Sequence, residues 1–422
     1  MRTVSKTVIG VDFGTQSARA VLVNAENGEI IYSCRKEYPY NSTPVPAIDC
    51  AENLPCATDY EMTLYELLRN VIPEEYRKTV AGICVDATSL TMVLLAEDGR
   101  ALSELDGWSE AAHARVKLWK YHRAQEKADE ALNLARNLQE PFLGRTGGSI
   151  SCEWMLPKLL EVRDEAPEIY SKIDLAMDLC EFLTFRLTGQ LVRSIGSLSY
   201  KCLWAEDLSF PERTFLNGLR AGFYEEYCHF LRGDVRKPGE CAGMLRSELT
   251  KRWGLPEQIP VATGMLDGHT SLATMGAFEP GDAALIVGTS NVCTVQDRKL
   301  QELKDVCGVA QDGMVTGSCG IDTGQSSTGN MLGWFVEHMA GWQIHREAEE
   351  RKISPHQVLA ERIQKPWENK VIAVDWWSGS RNAPCDLTLR GSMSGLEMDT
   401  KTEDIYLALL QAIACGTGTI LE

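Results

Sequence analysis

Residues 10–17, Gly10-Val11-Asp12-Phe13-Gly14-Thr15-Gln16-Ser17, decide how this chain is read. Thr7-Val8-Ile9 before them has the pattern of a buried strand, and residues 18–23 after them have the pattern of a second. The connection holds glycines, which permit unusual backbone geometry and close approach of a ligand. It also carries one carboxylate (Asp12), two hydroxyls (Thr15, Ser17) and several main-chain N–H donors. Successive N–H groups in a tight turn form an anion-binding concavity, and a nearby carboxylate suits Mg²⁺. No Gly-Lys-Ser/Thr follows, so this is not a Walker loop. On this segment alone, a nucleotide-phosphate cradle and a plain hairpin turn with a buried Asp read equally well.

The chain has 422 residues, more than one hydrophobic core usually supports, so two large domains are expected. A net charge of −17 argues against nucleic acid or an anionic membrane as partner. The 14 cysteines are scattered and form no Cys-x-x-Cys pair, as expected of free thiols in a reducing compartment. The N-terminus has no signal-peptide apolar region, and no apolar run is read as approaching membrane-spanning length. The expected compartment is the cytoplasm.

In chain order, residues 7–12, 18–24 and 29–34 form three strands of an antiparallel meander, with Asn27-Gly28 as a hairpin signal. A polar stretch at 40–58 precedes an amphipathic helix over 60–70. Residues 80–86 read as a buried parallel strand and 91–96 as another strand. Helical patterns cover 111–138, 156–173 (broken near Pro167), 175–187, 212–231 and 246–254.

The pattern then begins again: a strand at 283–287, a turn Gly288-Thr289-Ser290-Asn291, and a strand at 292–296. Two strand-turn-strand units with hydroxyls at the turn suggest a duplicated architecture with a shared cleft. Helices over 330–339 and 358–363 and a strand at 371–374 follow. A last helix over 402–421 is expected to be capped by Thr400 or Thr402.

Taken together, these stretches resemble the FGGY family of carbohydrate kinases, and within it the ribulokinases. The matching motifs are Gly-Val-Asp-Phe-Gly-Thr at 10–15, Val-Lys-Leu-Trp-Lys at 116–120, Glu-Trp-Met at 153–155 and Tyr-Lys-Cys-Leu-Trp at 200–204. They continue with Leu-Asp-Gly-His at 266–269, Gly-Thr-Ser at 288–290, Gly-Gln-Ser at 324–326 and Asp-Trp-Trp at 375–377. The resemblance implies an α/β, actin-like (ribonuclease H-like) duplicated two-domain fold. A sugar-binding domain would span 1–277 and a partial nucleotide-binding domain 278–422. ATP and Mg²⁺ would be the cofactors and a small sugar the partner, with a homodimer left open.

The resemblance also assigns roles. Asp267 matches the general base, and Asp12 the residue that holds Mg²⁺. Gly14, Thr15, Gln16 and Ser17 match the loop that meets the phosphates, with Gly288, Thr289 and Ser290 approaching from the other domain. Ser89, Lys201 and Asp322 fall at sugar-facing positions, although Asp322 stands where ribulokinases usually carry Glu. His269 and the Trp376-Trp377 pair are read as structural.

Family members continue beyond the helix at 402–421, so the expectation is a fragment or a shortened paralogue that binds ATP poorly. Three functions follow: ribulose phosphorylation, phosphorylation of another sugar or polyol such as xylulose or glycerol, or a non-catalytic sugar-binding remnant.

Overall fold

A computed structural model describes residues 5–38, 54–381, 386 and 388–422. The polar stretch expected at 40–58 lies largely outside the described residues.

The first sheet is built on Thr7–Phe13, whose residues Thr7, Ile9, Val11 and Phe13 alternate into the core. It runs Ile30–Glu37, Ser17–Asn24, Thr7–Phe13, Val80–Ala87, Pro260–Ala262, Cys241–Met244, and Met265–Leu266 also pairs with Val80–Ala87. The first three strands form the antiparallel meander, and Val80–Ala87 lies parallel to Thr7–Phe13. One face packs on the helices Ala57–Asn70 and Leu179–Thr188, where Leu64, Leu67, Phe182 and Leu183 join Ile9, Phe13 and Val85 in one core. Burying each such side chain contributes about 1.5–3 kcal/mol. A second, largely helical core centres on Met155, Leu159, Phe215 and Tyr227.

The second sheet has the order Ala283–Val287, Asn291–Asp297, Cys319–Gln325, Gly308–Gln311, antiparallel throughout. Beside it, Gly329–His338, Pro355–Arg362 and Thr402–Leu421 pack through Phe335, Val358, Tyr406 and Leu409. The Tyr200 hydroxyl joins the two halves, donating to the Gly320 carbonyl at 2.7 Å.

Four expectations are corrected. Residues 111–124 are turns, and helix forms only over Gln125–Leu138. The main chain at Lys117 is captured by Met92 through two hydrogen bonds of 2.9 and 3.1 Å, so tertiary pairing overrides helical pattern. The apolar run 175–187 is a strand, Leu175–Asp178, paired with Met92–Leu95, and then the helix Leu179–Thr188. The last helix is capped not by threonine but by Asp404, which accepts from the Lys401 N–H at 2.9 Å. That helix, Thr402–Leu421, is also long and apolar enough by composition to cross a membrane, contrary to the expectation, although Tyr406, Leu409 and Ala412 on it are buried. The twelve described cysteines are all free, as expected, though Cys241 and Cys415 are exposed.

Candidate active site

A cavity of about 770 Å³ lies between the halves. Thr15, Ser89, Lys201 and Asp267 line it from the first half, and Ser290 and Asp322 from the second. Asp12, Gly14, Gln16, Ser17, Gly288 and Thr289 are not among the residues that line it.

Three carboxylates converge beside it, Asp267 lining the cavity and Asp12 and Asp86 lying outside its lining. Asp12 and Asp86 sit opposite each other on parallel strands, and Met265, two residues before Asp267, is opposite Asp86 on the other side. Gly264 allows that approach, because a Cβ there would lie 2.3 Å from the Val85 carbonyl oxygen. Asp267 opens the helix Asp267–Met275 and accepts its neighbour Gly268 N–H at 2.7 Å. Burial pushes Asp267 up to about 7; the Gly268 hydrogen bond pulls it down, and the negative Asp12 pushes it up. Asp86 is pushed up to about 8 by burial and then by Asp12 and Asp267. Its Oδ1 is buried without a hydrogen-bond partner. A divalent cation would relieve this crowding of negative charge. No group of three or more ligating side chains stands close enough to hold a metal among the described residues. A cation here would therefore take carboxylates from the protein and its remaining oxygens from water or phosphate, the habit of Mg²⁺.

The loop at 13–17 is held from several directions. Gly14 N–H donates to Ser17 O at 3.2 Å, Thr88 N–H to Phe13 O at 2.9 Å, and the Tyr38 hydroxyl to Gly14 O at 2.8 Å. Neither Gly10 nor Gly14 is in the left-handed region, so their value here is small size rather than unusual φ. The Trp119 indole N–H donates to Thr15 Oγ1 at 3.1 Å. The Ser17 hydroxyl accepts from Arg35 at 3.0 Å, on the sheet rather than in the cavity. In the second half, Thr328 clamps the turn: its hydroxyl donates to Gly288 O at 2.9 Å and its N–H to Thr289 O at 3.2 Å.

Also in the cavity lining, Lys201 and Asp322 form an ion pair of 3.1 Å, with His269 Nε2 3.6 Å from the same carboxylate oxygen. Burial opposes the charge on Asp322, but Lys201 and His269 outweigh it and hold the carboxyl well below its usual range. His269 packs edge-on to Tyr200, with ring centroids 4.7 Å apart. Trp377 is tied to Val374 O at 3.1 Å and packs on Trp334.

Several residues went unassigned in the sequence. Glu153 lines the cavity, meeting His122 at 3.0 Å and, across the halves, Arg381 at 2.5 Å. Burial would raise its pKa, but Arg381 and His122 prevail and hold it at about 2. Asp178 and Lys158 brace the segment that carries Ser89. Asp178 accepts from Leu90 N–H, Thr91 N–H and the Ser197 hydroxyl, at 3.2, 3.1 and 2.6 Å. Lys158 donates to Leu90 O and Leu118 O at 3.0 and 2.9 Å. Between them Leu90 is held at φ +37°, a conformation that persists only when its surroundings impose it. A lysine inside the apolar run Met155–Val162, and the Asp178-x-x-Glu181 capping box, were the available signals.

The sequence matches the N-terminal domain of the FGGY family of carbohydrate kinases over residues 7–274 and its C-terminal domain over residues 283–422. It is 33% identical over 428 residues to a ribulokinase of Halalkalibacterium halodurans, covering 99% of this chain and 76% of that protein. It is 36% identical over 433 residues, with the same coverages, to a ribulokinase of Mycolicibacterium smegmatis. Plasmodium falciparum glycerol kinase with ADP superposes with a TM-score of 0.77 at 16% identity, over 99% of this chain and 78% of that one, a likeness of fold. The actin-like, two-part architecture and both sequence matches agree: this chain belongs to the FGGY family of carbohydrate kinases.

Proposed function

We propose that the protein transfers the γ-phosphoryl group of ATP to a ketopentose, with ribulose as the preferred acceptor and ribulose 5-phosphate as product. The observation that carries this reading is the convergence of Asp267, Lys201 and Asp322 with the two hydroxyl-bearing turns around one cavity. The residues up to 277 form the sugar-binding domain and those from 278 the nucleotide-binding domain, with Asp322 reaching the sugar from the second and the loop at 12–17 meeting the phosphates from the first. Ribulokinase relatives at 33% and 36% identity favour ribulose.

Asp267 is the general base. It accepts the proton of the attacking hydroxyl, and its raised pKa matches a base that works near neutrality. Lys201 and Asp322 orient the sugar, and Ser89 contributes a hydroxyl to the same wall. Thr15 and Gln16, in the loop that Gly14 and Ser17 hold in shape, and Gly288 to Ser290 meet the phosphates, with the Thr15 and Ser290 hydroxyls on the cavity wall. Asp12 would hold Mg²⁺ with the neighbouring Asp86, and the ion, when bound, supplies charge neutralisation for the phosphate oxygens.

A second reading, phosphorylation of another sugar or polyol such as xylulose or glycerol, is favoured by the Lys201–Asp322 ion pair. The pair holds Asp322 on Lys201, and Asp322 is shorter than the Glu usual at this position in ribulokinases, so it reaches less far toward the sugar. A panel of ribulose, xylulose and glycerol with ATP, read as ADP release together with calorimetric sugar binding, separates the two. The highest kcat/KM on ribulose supports the first reading. Preference for another acceptor establishes the second, and sugar binding without turnover overturns both.

A further inference from the structure

A second cavity, of about 420 Å³, lies on the far side of the short helix Ile195–Lys201. Ile195 and Ser199 face it, whereas Lys201 at the end of the same helix faces the sugar cleft. The aromatic rings of Phe142, Trp204 and Phe210 supply its walls, and Val309 and Ala310 of the second sheet close it. None of its lining residues belongs to the larger cavity.

Its polar groups are unbalanced. Glu140 lines it, is only 5% exposed, and has an Oε2 atom buried with no hydrogen-bond partner. Thr146 lines it too, and its hydroxyl oxygen is likewise buried and unpartnered. Three further carboxylates, Glu206, Asp207 and Glu212, stand at its exposed rim. The one basic residue in the lining, Arg145, is taken by Asp207 in a two-pronged ion pair of 2.7 and 2.8 Å. Buried acceptors left unmatched await a donor. A metal ion is a poor candidate, because no cluster of three ligating groups occurs among the described residues. An organic cation matches both features, its charge meeting the carboxylates and its carbon body the rings.

We propose that this cavity is a second binding site, distinct from the sugar cleft, for a small primary ammonium ion with a flat apolar body. The ammonium meets the carboxylate of Glu140 in the cavity wall, and the apolar body lies against Phe142, Trp204 and Phe210. Calorimetric titration with 2-phenylethylamine and 2-phenylethanol, which differ in the ammonium alone, tests this. The amine is expected to bind about tenfold or more tightly than the alcohol. Glu140→Gln should remove that advantage while leaving alcohol binding unchanged. Leu208→Arg places a cation at the rim from a residue that is 43% exposed, so folding is spared, and should weaken amine binding alone. Equal binding of amine and alcohol, no saturable amine binding at millimolar concentration, or amine affinity unchanged in both variants would overturn the proposal.

Discussion

The two sheets that flank the cavity start from similar hairpins and hold their loops in different ways. Thr7–Phe13 has neighbours on both sides, Ser17–Asn24 antiparallel and Val80–Ala87 parallel. Ala283–Val287 has one neighbour, Asn291–Asp297, and is the edge of its sheet among the described residues, with Val287 73% exposed. In the first half, the turn therefore leaves a strand that is fixed from both flanks. In the second, the turn at 288–290 gains its rigidity from Thr328 and the start of the helix Gly329–His338. The comparison teaches that similar loops can be positioned by a sheet or by a helix terminus. The carboxylates belong to the sheet-held side, where strand register sets them against one another within narrow limits.

The largest consequence is expected on that side. Asp267→Asn keeps size and shape but removes the base, and should lower kcat roughly 10²–10⁴-fold while sugar affinity holds. Unchanged turnover would remove Asp267 from the chemistry. A pair of glycine variants tests the comparison itself. Gly264→Ala drives a Cβ to 2.3 Å from Val85 O, between paired strands, and Gly329→Ala drives one to 2.5 Å from Gly288 O, beside a one-sided turn. Both require backbone movement, but the first has less room for it. Gly264→Ala should cost about 1–3 kcal/mol in global stability, and Gly329→Ala less, appearing instead as a raised KM for ATP. Equal losses of Tm would show that the two halves are equally rigid.

Next comes pH. The carboxyls of Asp267 and Asp86 sit at about 7 and about 8 in the fold, above the ordinary value of about 4 in the unfolded chain. The folded state therefore binds these protons more tightly. Their stabilising contribution is complete below the unfolded value and is lost as pH climbs through about 7 to 8. Thermal unfolding should show Tm falling across that window, with Mg²⁺ recovering more at its upper end than at its lower end. A Mg²⁺ effect independent of pH would separate the ion from these carboxylates. The smallest effect is expected at the helix-held turn. Thr328→Val deletes a hydroxyl hydrogen bond of 2.9 Å, about 1 kcal/mol, and should raise KM for ATP without altering KM for the sugar. A change confined to the sugar would place the Gly288 turn at the wrong end of the cavity.

Much of the frame could be read from local pattern. Alternating Ile9, Val11 and Phe13, the Asn27-Gly28 turn and the run 80–86 gave the meander and its parallel neighbour, because side-chain period and turn chemistry act over a few residues. The segments misread were those whose conformation depends on distant partners. Residues 111–124 have helical composition, yet Met92 and Lys158 take up their main chain. Leu175–Asp178 is a short apolar run that could be helix or strand until Met92–Leu95 pairs with it.

The same division holds for the site. By itself, the sequence determined which groups were available: Asp12 and Asp267 beside glycines, hydroxyls in two matching turns, Lys201 in an aromatic setting. Tertiary structure decided what each of them faces. It turned Ser17 to Arg35, paired Lys201 with Asp322, brought Arg381 across to Glu153, and set Asp86 between Asp12 and Asp267. Residue chemistry is local, whereas charge state and orientation depend on burial and on neighbours far away in the chain. The loop at 10–17 shows both, being recognisable from eight residues and held in place by Tyr38, Thr88 and Trp119.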